Sequence, residues 1–243
     1  MKIFSTGRRM EVLDALRAGE GKETIKKRLP ASSFAFSVDF LRKVEFVEEI
    51  EGDLRLTDKG RAYLVAFSQF RDGIGTIRTL FDAFPDHVIH FPDQFYGRLS
   101  EIGSATVITS EPSNVLKPHR VYFDHLSRSR DINGVSPILF PDYPDTFRGL
   151  AETAETISLV VTDEIWDVIR EYPIHEYDNI AVYLLDEPPR LAVTATDTFL
   201  SIGFFYRSGS YDFTRDLVAT DTLALRFGCD LVSYYRRKAR RIV

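Results

Sequence analysis

Apolar positions recur at helical spacing from the start of the chain. Met10, Leu13 and Leu16, with Val12 beside them, predict a helix that Thr6 caps and Gly19 stops. A shorter helix is expected over 23–29, ended by Pro30. Ala31-Ser32-Ser33 offers the next N-cap, and Phe34, Val38, Leu41 and Val44 then share one face of a third helix. Val47-Glu48-Glu49-Ile50 and Leu54-Arg55-Leu56 read as two strands around Glu51-Gly52-Asp53. Thr57-Asp58-Lys59-Gly60 opens a longer helix that holds Tyr63, Leu64, Phe67 and Phe70. Three helices, a hairpin and a helix make the order of a winged helix-turn-helix.

After Phe84 the pattern changes to alternating strands and helices. Short apolar runs at 106–109, 134–138 and 157–161 suit buried strands, with helices expected over 118–129, 143–153 and 163–171. Strands follow at 181–185, 190–196 and 199–206, the last two as a hairpin, and a helix from 221 to 240 closes the chain. The expected fold is therefore α+β: a winged helix-turn-helix with its connecting helix over 1–84, then a mixed α/β sensing domain over 85–243.

Composition changes this picture little. Of 243 residues, 44% are hydrophobic and 28% charged, enough for two folded domains. One cysteine, Cys229, excludes an internal disulfide and every multi-cysteine zinc pattern; within an amphipathic helix it reads as a core residue. No apolar run approaches the ~20 residues of a membrane helix, and the start has no signal-peptide stretch, so a cytoplasmic protein is expected. Charge is uneven: net +2 through Leu64, −12 from Val65 to Tyr234, and +5 in the last nine residues. The terminal cations Arg236, Arg237, Lys238, Arg240 and Arg241 suit a helix C-terminus or the acidic middle better than DNA.

In a winged helix the third helix enters the major groove and the second crosses the phosphate backbone. Opposite its apolar face, the third helix carries Ser32, Phe36, Asp39 and Lys43, with Phe40 and Arg42 at the margins. Ser32, Ser33 and Lys43 can bond phosphate or base edges, and Phe36 can touch a thymine methyl. Lys22, Lys26, Lys27 and Arg28 surround the second helix, and Arg55 in the second wing strand is a further phosphate candidate. Asp39 and the acidic wing tip Glu51-Gly52-Asp53 oppose this reading, because acids repel phosphate. A winged helix can also dock on protein, so an adaptor without direct DNA binding stays as the alternative.

Several segments in a fixed order carry a resemblance. Arg8-Arg9-Met10-Glu11-Val12-Leu13 and Leu56-Thr57-Asp58-Lys59-Gly60 come first. Leu116-Lys117-Pro118-His119, Ile132-Asn133-Gly134-Val135-Ser136-Pro137 and Pro141-Asp142-Tyr143-Pro144 follow. Tyr211-Asp212, Asp216-Leu217-Val218 and Gly228-Cys229-Asp230-Leu231-Val232-Ser233-Tyr234-Tyr235-Arg236 complete the set. Together they resemble archaeal winged-helix regulators that share the middle domain of the methanogenesis (filamentation) regulatory protein. The resemblance implies a dimeric archaeal transcription factor whose C-terminal domain senses a signal; it carries over no ligand residues.

Catalytic patterns are missing. The sequence has no HExxH, no Gly-rich phosphate loop and no GxSxG elbow around Ser136. His87 and His90, three apart, could share a metal on a helix, but Val88, Ile89 and Phe91-Pro92 favour packed or surface imidazoles. The strand pattern is similar to phospholipase-D-like domains, yet no histidine has lysine two residues later; Lys117 precedes His119 instead. No catalytic residue, metal or cofactor is expected. Lys117, His119 and Arg120 at a helix start begun by Pro118, with Tyr143, are candidates for holding a small anionic effector. The expected function is a DNA-binding, effector-responsive transcriptional regulator. Its expected partners are double-stranded DNA, a second copy of the chain and that effector, with no membrane.

Overall fold

A computed structural model describes residues 7–139 and 143–243, the side chains of 143–147 excepted. Thr6, the expected first cap, lies outside the described residues, as do Pro141, Asp142 and the side chain of Tyr143. Packing divides the chain into Met1–Arg71 and Asp72–Val243, a division that falls inside one long helix; the expected boundary at 84/85 follows that helix's end.

The first unit holds α1 (Gly7–Arg17), α2 (Lys22–Arg28), α3 (Ala31–Lys43), the hairpin β1 (Val47–Ile50) and β2 (Asp53–Leu56), and the start of α4 (Asp58–Ala83). Val12 and Leu13 of α1, Ile25 of α2, Leu41 of α3, and Phe46, Leu54 and Leu64 form its core. Gly19, at φ 80°, ends α1 by letting Glu20 N–H reach back to the Ala15 carbonyl. Glu51 and Gly52 both take positive φ, as a two-residue turn matching strand twist requires. Thr57 caps α4 by accepting from Gly60 N–H at 2.9 Å.

The cap of α3 differs from expectation. Ser32 and Ser33 lie inside the helix and Pro30 holds the N-cap position with no side-chain bond. Pro30 has the extended φ/ψ of an N-cap, and its carbonyl accepts from Phe34 N–H at 2.9 Å, so the first turn closes directly behind it.

The second unit is built on one sheet. Its strands are β3 (His87–Val88), β4 (Thr106–Thr109), β5 (Asp131–Ser136), β6 (Thr156–Val161), β7 (Ile180–Leu184), β8 (Leu191–Thr196), β9 (Leu200–Tyr206), β10 (Arg215–Ala219) and β11 (Arg240–Arg241). They run β11-β7-β6-β5-β8-β9-β10-β4, with β3 also on β9. β5, β6 and β7 are parallel; the other pairs are antiparallel. The helices are α5 (Asp93–Tyr96), α6 (Lys117–Leu126), α7 (Tyr143–Thr153), α8 (Asp163–Ile169) and α9 (Thr222–Lys238). One sheet face packs Val193, Ile202, Phe204 and Leu217 against Phe227 and Leu231 of α9. The other packs Ile132, Ile157, Leu159 and Val182 against Leu126 of α6, Leu150 of α7 and Ile165 of α8. Asp221 caps α9 by accepting from the Leu223 and Ala224 N–H groups at 3.0 and 3.2 Å.

Three local readings change. His87 lies in a strand, so it shares no helix face with His90. Cys229 is exposed: α9 buries 224, 227, 228, 231, 232 and 235, a helical stripe that leaves position 229 outside. The last helix ends at Lys238, because Arg240 and Arg241 pair with Leu184 and Tyr183 and add an edge strand. No helix among the described residues is long and apolar enough to cross a membrane.

Candidate functional site

In the first unit the inner face of α3 buries Phe34, Ser37, Val38 and Leu41, which turns Ser32, Phe36, Asp39 and Lys43 outward. Phe36 is 66% exposed, a large apolar side chain held in solvent. Sequence reasoning had missed the residue beside it. Arg9 is buried, and its guanidinium lies 3.6 Å from the Phe40 ring centre and 5.7 Å from that of Phe36. The available signal was its place beside Met10 on the buried side of α1.

Most of the expected phosphate contacts hold acids of their own unit. Lys22 meets Glu49 at 2.5 Å, Lys26 meets Glu23 at 3.6 Å, and Arg28 meets Glu20 at 3.0 Å and Glu11 at 3.6 Å. Arg42 pairs with Glu49, and Lys43 with Asp39 at 2.7 Å. Lys27 and Arg55 are exposed and form no ion pair among the described residues. Solvent-exposed pairs of this kind contribute about 0–1 kcal/mol, so a phosphate can replace the acid at small cost.

The acidic wing tip has a structural use. Asp53 Oδ1 accepts from Lys22 N–H at 3.0 Å and Leu54 N–H at 2.9 Å, tying the wing to the first turn of α2. The Lys22 backbone bond, then that of Leu54, holds this carboxyl below its ordinary range.

In the second unit a cavity of about 40 Å³ lies between α6 and the sheet. His119 and Tyr122 line it from α6, Ser136 from the end of β5, Thr194 from β8, Ser201 from β9, and Asp216 from β10; Tyr211, Asp212 and Phe213 line it from the segment before β10. The apolar packing under α6 gives way to polar side chains here. Tyr122 Oη lies 3.1 Å from Thr194 Oγ1. Gly203 leaves the space that Tyr211 fills: a Cβ there would lie 1.8 Å from the phenol oxygen. Burial pushes the Tyr211 phenol well above its usual range.

Two carboxyls at this cavity differ sharply. Burial pushes Asp212 up, but bonds from Thr214, His87 and Tyr206 outweigh it, and the group titrates below its ordinary value. Its Oδ2 lies 2.9 Å from His87 Nε2, and its Oδ1 accepts from Thr214 N–H at 2.8 Å and Thr214 Oγ1 at 2.6 Å. Asp216 is 6% exposed; its Oδ2 accepts from Ser201 Oγ at 2.7 Å, while its Oδ1 has no hydrogen-bond partner among the described residues. Burial lifts its pKa to about 7, against the lowering effect of the Ser201 hydroxyl and the Leu217 backbone N–H.

Among the described side chains, the residues expected to hold an anion are not gathered there. His119 lines the cavity, Lys117 forms an ion pair with Glu111, Arg120 is exposed, and the side chain of Tyr143 lies outside the described residues. No group of three or more potential metal ligands occurs among the described residues. Three of the C-terminal cations have contacts within the second unit: Arg236 lies over the Tyr183 ring, Lys238 over Tyr234, and Arg241 Nε donates to the Val243 carbonyl at 2.7 Å.

Comparison with known proteins gives the wider setting. Residues 115–238 match the family model described as "Methanogenesis regulatory protein FilR1, middle domain". The methanogenesis regulatory protein FilR1 of Methanothrix harundinacea (strain 6Ac) is 22% identical over 199 residues, covering 77% of this chain and 45% of that protein. The chain thus spans less than half the length of this curated relative. Among solved structures, TrmBL2, an archaeal chromatin protein described as showing a novel mode of DNA binding, aligns over 97% of this chain and 94% of its own. The TM-score is 0.46 at 11% identity. The family match takes in more than half of the chain, from just before α6 to the end of α9, and the protein belongs to the family of the FilR1 middle domain, a family of regulatory proteins.

Proposed function

We propose that this protein is a DNA-binding transcriptional regulator, dimeric and effector-responsive, acting in the cytoplasm on double-stranded DNA. One observation carries the reading. α3 buries one face in a three-helix core and turns Ser32, Phe36, Arg42 and Lys43 outward beside a hairpin, the layout in which such a helix fills a major groove. Lys22, Lys26, Lys27, Arg28, Ser33 and Arg55 supply phosphate contacts around it. A fluorescence-anisotropy titration on DNA from the protein's own upstream region tests this. Affinity is expected to fall steeply with salt, and Lys27→Ala should lower the slope of log K against log salt by about 0.9. Lys43→Ala should weaken binding as well. Salt-insensitive binding, or none, would leave the adaptor reading, which the ion pairing of five candidate cations favours.

Dimerisation has its own support. Tyr63, Phe70, Ile74, Ile77 and Phe81 of α4 are large, exposed and apolar, and half-buried Phe67 falls between the first two. Their steps alternate between four and three residues, the seam of a two-stranded coiled coil. A second copy of α4 would cover this seam. Ile74→Glu should convert a dimer to a monomer in sedimentation equilibrium and weaken DNA binding by at least tenfold. A dimer unaffected by Ile74→Glu would place the interface elsewhere.

The cavity beneath α6 is the place for an effector. To regulate, the effector must favour one conformation of the dimer over another by differential affinity.

A further inference from the structure

We infer that the cavity beneath α6 binds a small organic ammonium, a primary amine whose N–H groups meet Asp216 Oδ1. The reading deepens the effector-responsive function proposed above and rests on it for regulation, though not for binding.

The argument begins with an unpaired acceptor. A buried carboxylate oxygen without a donor costs about 1–3 kcal/mol or more, so a site that retains one needs a reason. Asp216 reaches this position through strand alternation. Leu217 and Ala219 face α9, so Asp216 turns to the α6 side, where the carboxyl has Ser201 and the Leu217 backbone N–H as neighbours and its Oδ1 still lacks a partner of good hydrogen-bond geometry. The walls around it suit a cation. Tyr122, Tyr211 and Phe213 are aromatic, Ile138 and Val135 are apolar, and among the described residues Arg215 is the one Lys or Arg that lines the space. Aromatic faces with a carboxylate at the base are how proteins hold ammonium groups.

Among the described residues, the charged and titratable neighbours on the lining are two acids, one arginine, two phenols and one imidazole. Asp212 is a second acid, already saturated by His87 and Thr214. Arg215 is drawn off by the Ala83 carbonyl, to which its Nη1 donates at 2.6 Å. Tyr122 and Tyr211 are phenols, and His119 stands on the α6 wall. An anion here would face two carboxyls; an ammonium meets the one acceptor left open.

Binding is linked to protons. Without ligand, the Asp216 carboxyl titrates near 7, whereas the bound ammonium needs it ionised. Affinity should fall about tenfold for each pH unit below 7 and level off above it. The His119 imidazole also lines the cavity, so the slope must survive His119→Gln to belong to Asp216.

The test uses the full chain and three small probes: ethylammonium, ethanol and acetate, with sodium chloride holding ionic strength constant. For a ligand of three heavy atoms, a dissociation constant on the order of 1 mM is the strongest to expect. At 50 mM and pH 8, ethylammonium should raise the melting temperature of the second unit by roughly 5 °C, with no rise from ethanol or acetate. Asp216→Asn should fold and lose the response; His119→Gln should keep it together with its pH slope. A response to acetate, an undiminished response in Asp216→Asn, or no response to ethylammonium at pH 8 would each overturn the inference. DNA titration in the same samples separates the two readings. DNA binding without an amine response removes only the amine site, and an amine response with unchanged DNA affinity removes only its regulatory use.

Discussion

Replacing Asp216 by asparagine is expected to stabilise the second unit at pH 8 by about 10 °C and to change it little at pH 4. The carboxyl has a folded pKa of about 7 against 3.8 in the unfolded chain, so between those values the folded state holds the extra proton. Stability from this group is complete below the unfolded pKa and is lost as pH rises through the folded one. At 1.36 kcal/mol per pKa unit the loss amounts to about 4 kcal/mol above pH 7. Asparagine carries no charge to desolvate, and its carbonyl can still accept from Ser201. For a unit of this size, 4 kcal/mol corresponds to roughly 8–16 °C. Asp53 and Asp212 titrate below their ordinary values and act in the opposite sense, losing stability as pH falls. The measured quantity is therefore the difference between wild type and variant, by calorimetry from pH 4 to 8. A difference that does not grow with pH would show that Asp216 is not desolvated in the fold.

Gly60→Ala should unfold the first unit or bring it close to unfolding. A Cβ at position 60 would lie 2.0 Å from the backbone oxygen of Phe46 and 2.8 Å from its carbonyl carbon. A backbone neighbour cannot rotate away as a side chain can. That same oxygen accepts from Thr57 N–H at 3.1 Å, so moving the strand away also breaks the start of α4. Overpacking a well-filled core costs about 1–3 kcal/mol and more where only backbone can yield; here at least about 3 kcal/mol is expected. In a unit of 71 residues that is a large part of the whole stability. DNA binding should vanish at 37 °C while the melting of the second unit stays in place. An unchanged first transition would mean that α4 and Phe46 do not approach this closely.

These two positions show how unevenly the chain could be read in advance. Gly60 was legible as part of Thr57-Asp58-Lys59-Gly60, because the cap and helix start are local chemistry, and Thr57 caps as expected. What glycine does there depends on Phe46, fourteen residues earlier, which no local pattern reveals. β4 and α7 fall at the expected residues, and β8 and β9 pair as the expected hairpin. β10 was missed. Arg215-Asp216-Leu217-Val218-Ala219 offers a short apolar stretch with charges at its head, and it becomes a strand by pairing with β4, about a hundred residues away.

The anion cluster of Lys117, His119 and Arg120 shows a different limit. Positions 117 and 120 are neighbours on one helix face, and position 119 lies well around the turn from both. Proximity in sequence therefore separated these side chains in space. His119 alone reached the cavity, where it met residues from β5, β8, β9 and β10.

Taken by itself, the sequence was enough to determine the elements of the first unit, the mixed α/β character of the second and the family. Each follows from short-range periodicity, caps and motif order. Tertiary structure alone decided that Asp53 caps the start of α2, that Cys229 faces outward and that Asp216 stands in a cavity with one oxygen unpaired. Those outcomes depend on which elements pack together and on which face of its helix or strand each residue turns inward. Both are set by contacts between segments far apart in the chain, and a local pattern carries no record of them.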